Sequence, residues 1–293
     1  PTSTTSPRSR HVLTPQIISD VVQRALAEDA PWGDLTVALA IPEDATLATR
    51  VVARESGVFA GGPLIAETFK QVDDRVSVTG LAPEGTAFIA GDVLARIAGP
   101  ARAVLTGERV ALNFSQRMSG IATLTSTFVA LVAHTGARIA DTRKTTPGLR
   151  ALEKHAVAAG GGSNHRFGLS DAIMVKDNHL AALGAVDAAT TTAALATLRA
   201  RAGHTTSIVV EVDRLDQIEA VLAGNPTGVL LDNFSLADLR AGVELIGDRA
   251  LAEASGGVNL DTVAGIAETG VDVISVGLLT HGARALDLGL DAE

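Results

Sequence analysis

At 293 residues, with 46% hydrophobic and 19% charged residues, the chain has an ordinary globular balance and enough length for one large α/β domain or two smaller ones. Its formal net charge of −9 argues against a general nucleic-acid or membrane-surface binder, since both need a broad positive face. Zero cysteines exclude disulfides, Cys-based zinc sites and thiol catalysis.

The chain opens on PTSTTSPRSR, which is polar and lacks the apolar core of a signal peptide. Residues 1–12 therefore read as a disordered tail. No apolar run approaches the roughly 20 residues a membrane span needs, so the expected location is the cytoplasm. Thr14-Pro15 is a helix start, with a capping hydroxyl and proline at the first helical position. Ile18, Val21, Val22, Ala25 and Leu26 keep one face apolar up to Glu28-Asp29. From Leu47 to Ile97, short β-prone runs (Leu47–Ala53, Val76–Val78, Val93–Ile97) alternate with Gly and Pro turns around one helix near Pro63–Lys70. Residues 103–134 predict two helices meeting near Ser119-Gly120.

After Ala137 a regular alternation begins. Apolar runs at Ala137–Ala140, Ala172–Val175, Ser207–Val210, Gly228–Leu231, Ala250–Ala252 and Val271–Val276 predict strands. Helical patterns at Asp187–Arg201, Leu215–Leu222, Leu236–Ile246 and Leu260–Glu268 separate most of them. Repeated strand–helix units imply a parallel sheet. Each predicted strand ends in polar or glycine residues: Asp141 to Lys144, Lys176 to Asn178, Glu211, Asp232-Asn233, Ser255 to Gly257, and Gly277. Strand ends converge on one face in a β/α barrel, whereas a doubly wound sheet uses mainly its switch point. The pattern favours the barrel.

The window Asp141–His179 concentrates charge. The chain has four lysines, and Lys144, Lys154 and Lys176 lie here with Arg143, Arg150, Arg166, His155, His165 and His179. A cationic segment in an acidic chain suits a small ligand with several negative charges. Arg150, Lys154 and His155 fall on a helix starting after Gly148, where a structural role is the alternative. The Gly160–Gly162 run is either a flexible loop folding over substrates or a helix C-cap.

Asp141-Thr142-Arg143-Lys144-Thr145 with Pro147-Gly148-Leu149-Arg150, Asn164-His165-Arg166 and Lys176-Asp177-Asn178-His179 resemble quinolinate phosphoribosyltransferase. The resemblance extends over nearly the whole chain after the tail. It includes Gly33-Asp34-Leu35-Thr36, Arg54-Glu55 with Gly57, Leu105-Thr106 with Glu108-Arg109, and Glu211-Val212-Asp213. Leu231-Asp232-Asn233, Glu253 to Gly257, and Gly277 with Thr280-His281 continue it. The resemblance implies an N-terminal open α/β sandwich joined to an incomplete, TIM-like α/β barrel. In this chain that places the sandwich at 13–118 and the barrel at 119–280, with 281–293 returning to the sandwich. It also implies a homodimer with shared active sites.

The implied reaction joins quinolinate to phosphoribosyl pyrophosphate (PRPP) and yields nicotinate mononucleotide, pyrophosphate and carbon dioxide, in de novo NAD synthesis. By resemblance Arg109, Arg143, His165 and Arg166 bind the dicarboxylate, Arg109 reaching in from the partner. Planar guanidinium forks suit carboxylates. Lys144 and Lys176 face the space shared with the PRPP phosphates. Glu211 and Asp232 are assigned to the ribose and to Mg²⁺, a hard cation that prefers oxygen ligands; capping the following helix is the alternative. Lys144, Lys176, Glu211 and Asp232 are the expected catalytic set. Ser255, Gly256, Gly257, Gly277 and His281 form the expected 5′-phosphate cradle, where glycines and a following helix N-terminus meet the anion. Rival readings are a related phosphoribosyltransferase acting on another base or acid, a Schiff-base aldolase barrel built on a strand-end lysine, and a non-catalytic binder.

Overall fold

The computed structural model describes residues 13–293; the segment read as a tail lies outside them. The chain begins with α1 (Pro15–Asp29), α2 (Leu35–Ala40), β1 (Thr46–Ala53), β2 (Gly57–Val58), α3 (Gly62–Val72), β3 (Ser77–Thr79), β4 (Ala87–Phe88), β5 (Val93–Pro100) and α4 (Ala101–Val132). There follow β6 (Arg138–Ala140), α5 (Arg150–Ala159), β7 (Ile173–Val175), α6 (Asp177–Ala182), α7 (Ala188–Arg201), β8 (Ile208–Val212), α8 (Ile218–Ala223) and β9 (Gly228–Asp232). The last elements are α9 (Leu236–Ile246), β10 (Leu251–Ser255), α10 (Val263–Ala267), β11 (Val273–Ser275), α11 (Leu278–His281) and β12 (Leu288–Ala292). No helix among the described residues is long and apolar enough to cross a membrane.

Two compact units emerge. Among the described residues, the first holds 13–126, Thr145–Gly161 and Leu279–Glu293; the second holds Thr127–Lys144 and Gly162–Leu278. The first unit is built on an antiparallel sheet of order β12-β1-β5-β3. Its core joins Val51 and Ala53 of β1, Leu94 and Ile97 of β5, Ile65 and Phe69 of α3, and Val104 and Leu112 of α4, all buried. Helices packed on such a sheet make the expected open α/β sandwich. Local chemistry sets its helix starts. The Thr14 hydroxyl accepts from the Ile17 amide at 3.3 Å, and Asp34 Oδ1 accepts from the Val37 amide at 2.9 Å.

One expectation fails here. Ser119-Gly120 does not divide two helices, because α4 runs unbroken from Ala101 to Val132. The Ser119 hydroxyl is consumed by the loop before α3, within 3.1 Å of both the amide and the carbonyl of Ala60. A Cβ at Gly120 would lie 1.8 Å from the Arg284 carbonyl, so the glycine serves close packing rather than a break.

The second unit carries a six-stranded parallel sheet of order β6-β11-β10-β9-β8-β7. From β7 to β11 each strand lies beside its successor, and the first strand, β6, lies beside the last. That is the circular order of a barrel with the β6–β7 seam unpaired, and it contains none of the mid-sheet reversal of a doubly wound fold. The barrel expected from the strand ends, incomplete as the resemblance implies, is the fold observed. Buried Ile139, Val175, Val210, Val229, Leu231 and Ile274 fill its strands.

Candidate active site

The register of the parallel sheet decides which polar residues meet. Glu211 pairs with Leu230, which also pairs with Glu253, and Asp232 pairs with Ser255. Glu253 pairs in turn with Val273, two residues before Ser275. Val175 pairs with Val210, so Lys176 comes level with Glu211. Residues two apart share a sheet face. Lys176, Glu211, Asp232, Glu253, Ser255 and Ser275 therefore line one face at the C-terminal ends of the strands, the place where barrels do chemistry.

Their contacts confirm the grouping. Lys176 Nζ forms an ion pair with Glu211 Oε2. The Ser255 hydroxyl donates to Asp232 Oδ1, and Asn233 Nδ2 donates to the other carboxylate oxygen at 2.7 Å. Neither carboxylate caps the next helix. Ser235 caps α9, its Oγ accepting from the Asp238 amide at 3.1 Å. After Glu211 comes a 3-10 turn in which Gln217 Oε1 takes the Asp213 amide at 2.9 Å.

The segment after Gly162 runs alongside β6. The Ser163 amide donates to the Ile139 carbonyl at 2.8 Å, and the Asp141 amide donates to the Ser163 carbonyl at 3.1 Å. Fully buried Asp141 then pins the next two residues, its oxygens accepting from Asn164 Nδ2 at 2.6 Å and from the His165 amide at 2.8 Å. The Arg166 amide donates to His165 Nδ1 at 2.7 Å, and Arg166 Nη1 donates to the Ala172 carbonyl at 3.0 Å. Burial, and then the nearby charge of Arg143, push the Arg166 guanidinium below its ordinary value, against the pull of Asp171. Two guanidiniums this close repel one another, a repulsion that an anion between them would relieve. Arg143 and Lys144 are exposed directly beyond β6, in a turn closed by the Lys144 amide on Thr142 Oγ1 at 3.0 Å.

Gly256 and Gly257 follow β10 with φ of +89° and +63°. A Cβ on Gly256 would lie 2.1 Å from Asn233 Oδ1, so only glycine fits there. The expected helix N-terminus behind this loop is absent: α10 starts only at Val263, because Asn259 first builds a turn with Asp261 and Thr262. Gly277 follows β11 and directly precedes α11. Arg109, exposed on α4, and His281, exposed at the end of α11, belong to the first unit, as do Arg150, Lys154 and His155. The glycine run is a C-cap region. Gly160 ends α5, and a Cβ there would lie 2.3 Å from the Ala122 carbonyl.

Two buried carboxylates of the second unit lie outside the expected set. Asp141 reads in sequence as one more strand-end polar residue, and Glu253 sits between Ala252 and Ala254 inside β10. Glu253 is 6% exposed; its carboxylate accepts from the Ser275 hydroxyl and lies 3.4 Å from His165 Nε2. An acidic residue amid small apolar ones in a strand was the available signal.

A parallel barrel sheet with cations and carboxylates on its C-terminal rim defines an enzyme for small anionic substrates. Family models described as quinolinate phosphoribosyl transferase, N-terminal domain, and quinolinate phosphoribosyl transferase, C-terminal domain, match residues 34–119 and 121–291. The chain belongs to the quinolinate phosphoribosyl transferase family. It is 43% identical to the nicotinate-nucleotide pyrophosphorylase (carboxylating) of Mycobacterium leprae, covering 93% of this chain and 96% of that one. It is 42% identical to the probable enzyme of the same name from Bacillus subtilis, covering 90% and 89%. The solved nicotinate-nucleotide pyrophosphorylase of Francisella tularensis superposes with a TM-score of 0.90 at 34% identity, over 98% of this chain and all of that one.

Proposed function

We propose that the chain transfers the phosphoribosyl group of PRPP to quinolinate with loss of carbon dioxide, giving nicotinate mononucleotide and pyrophosphate. The observation that carries this reading is the division of charge on the barrel rim. Arg143 and Arg166, the latter pushed down first by burial and then by the charge of the former, suit a dicarboxylate, while Glu211, ion-paired to Lys176, and Asp232 sit on neighbouring strands.

As the C1′–oxygen bond breaks, electrons leave with pyrophosphate and positive charge grows on the ribose. Glu211 and Asp232 stabilise that charge, and Lys144 and Lys176 stabilise the leaving phosphates. The pyridine nitrogen attacks C1′, and the resulting ring cation accepts the electron pair released with carbon dioxide before a proton takes its place. This last step draws on the ring's own positive charge and calls for no dedicated acid or base. Mg²⁺, a hard cation, suits the oxygen donors of the Glu211 and Asp232 carboxylates. Glu211 and Asp232 would hold it, through water, and its charge would offset that of the pyrophosphate. Ser255, Gly256, Gly257, Gly277 and His281 are proposed to hold the 5′-phosphate.

Arg109 is proposed to complete the quinolinate site of a second copy in a homodimer. Mixing inactive Arg109→Ala and Lys176→Ala variants tests this: recovered activity supports a shared site, and none refutes it. The function itself is tested by incubating protein, Mg²⁺, PRPP and quinolinate and measuring nicotinate mononucleotide and carbon dioxide. Turnover with nicotinate but not quinolinate would overturn the assignment.

A further inference from the structure

Glu253 is a costly residue to bury. A carboxylate removed from water is destabilised until its partners offset the loss, and an apolar side chain would fill the same strand position at less cost. Its two partners identify what it does. Ser275 on the neighbouring strand fixes one carboxylate oxygen by donating its hydroxyl proton, and the same oxygen faces His165 Nε2 at 3.4 Å.

The other ring nitrogen decides the tautomer. His165 Nδ1 accepts the Arg166 amide proton at 2.7 Å, and a nitrogen that accepts through its lone pair carries no hydrogen. The ring proton then sits on Nε2, where it faces the Glu253 carboxylate. The opposite tautomer would set a lone pair against that carboxylate and an N–H against an N–H. We propose that Glu253 is a positioning residue for the transfer reaction: it fixes His165 as the Nε2–H tautomer, and through Nδ1 it fixes the backbone from which the Arg166 guanidinium projects. This rests on the proposed function for the identity of the substrate, although the tautomer does not.

Asp141 holds the amide of His165, Glu253 holds its ring, and the Ala172 carbonyl holds the far end of Arg166. A guanidinium anchored at both ends meets a planar carboxylate with little further loss of side-chain freedom.

Long-range ¹H–¹⁵N correlation spectra of the ¹⁵N-histidine-labelled protein report each imidazole tautomer directly. His165 is expected as Nε2–H in the native protein and in Glu253→Gln, whose amide oxygen still accepts, and as a tautomer mixture in Glu253→Ala. In steady-state assays Glu253→Ala is expected to raise the KM for quinolinate about tenfold, the scale of one lost hydrogen bond, with less than about a twofold change for PRPP. Glu253→Gln is expected to stay within about threefold of the native KM. A native Nδ1–H tautomer, equal losses for both substrates, or Gln as damaging as Ala would each overturn the proposal. Where Glu253→Ala does not fold, the native spectrum and Glu253→Gln still decide it. If the protein turns over no quinolinate, the spectra still test the Glu253–His165 link while the function reading alone falls.

Discussion

Two stretches of one cationic window differ in what their charges face. In α5, within the first unit, the ionic groups are used by the fold itself. Glu153, almost fully buried, accepts from Arg117 Nη2 at 2.8 Å and from both the amide and hydroxyl of Thr146, at 3.0 and 2.8 Å. His155 Nε2 lies 2.8 Å from Glu84, whose carboxylate takes the Gly61 and Gly62 amides at the start of α3. Lys154 is fully buried. In the strand-end segments of the second unit, Arg143, Lys144 and Lys176 are exposed. The same residue types are built into a core in one place and lie at the surface in the other. Charge density in sequence therefore locates a site only after burial has divided the charges.

That contrast can be broken in order of expected size. Glu153→Ala leaves Arg117 without its carboxylate, so a loss of about 3 kcal/mol in urea-denaturation stability is expected, with substrate KM values unchanged in the folded enzyme. A loss below about 1 kcal/mol, or a shifted KM, would place α5 with the site instead. Arg143→Ala is expected to do the reverse, raising the quinolinate KM by about 10- to 100-fold, as for a lost charged hydrogen bond, while the melting temperature stays put. Equal weakening of PRPP would remove Arg143 from the dicarboxylate. Gly256→Ala must push against Asn233 at a left-handed φ, whereas a Cβ on Gly257 meets nothing within 4 Å. Gly256→Ala should therefore weaken PRPP clearly more than Gly257→Ala, which carries only backbone strain of about 1 kcal/mol; equal effects would sink the cradle.

The smallest effect belongs to the first unit. The Arg284 guanidinium, with the Asp287 amide, holds the Glu55 carboxyl down at about 2, below its ordinary 4.5. A lowered folded value means the contribution is complete above pH 4.5 and fades as pH falls towards 2. Glu55→Gln should slightly destabilise the protein at about pH 7, with the gap narrowing measurably by about pH 4. A gap that widens on acidification would contradict the sign.

Periodicity made most elements visible, down to Leu236–Ile246 in α9, because their apolar stripes are local properties of the chain. The strand-end pattern likewise exposed Lys176, Glu211, Asp232 and Ser255. What stayed hidden depends on distant partners. Ser119 and Gly120 read as a break because their reasons, Ala60 and Arg284, lie far off in sequence. Asp141 resembles its exposed neighbours until its burial is seen, and Glu253 acquires meaning only beside Ser275 and His165. The attachment of α5 to the first unit has no local signature at all, since Glu84 and Arg117 supply it.

The pairing of β12 with β1 sets an order on synthesis. Leu288–Ala292 must hydrogen-bond to Thr49–Ala53, so β1 leaves the ribosome with one edge unmatched until β12, which follows every barrel strand, has been translated. The barrel strands, all translated earlier, pair among themselves in the meantime. The sandwich that starts before the barrel is thus obliged to finish after it, and a ribosome stalled between β11 and β12 would release a chain with an open sheet edge, prone to pair with a neighbour.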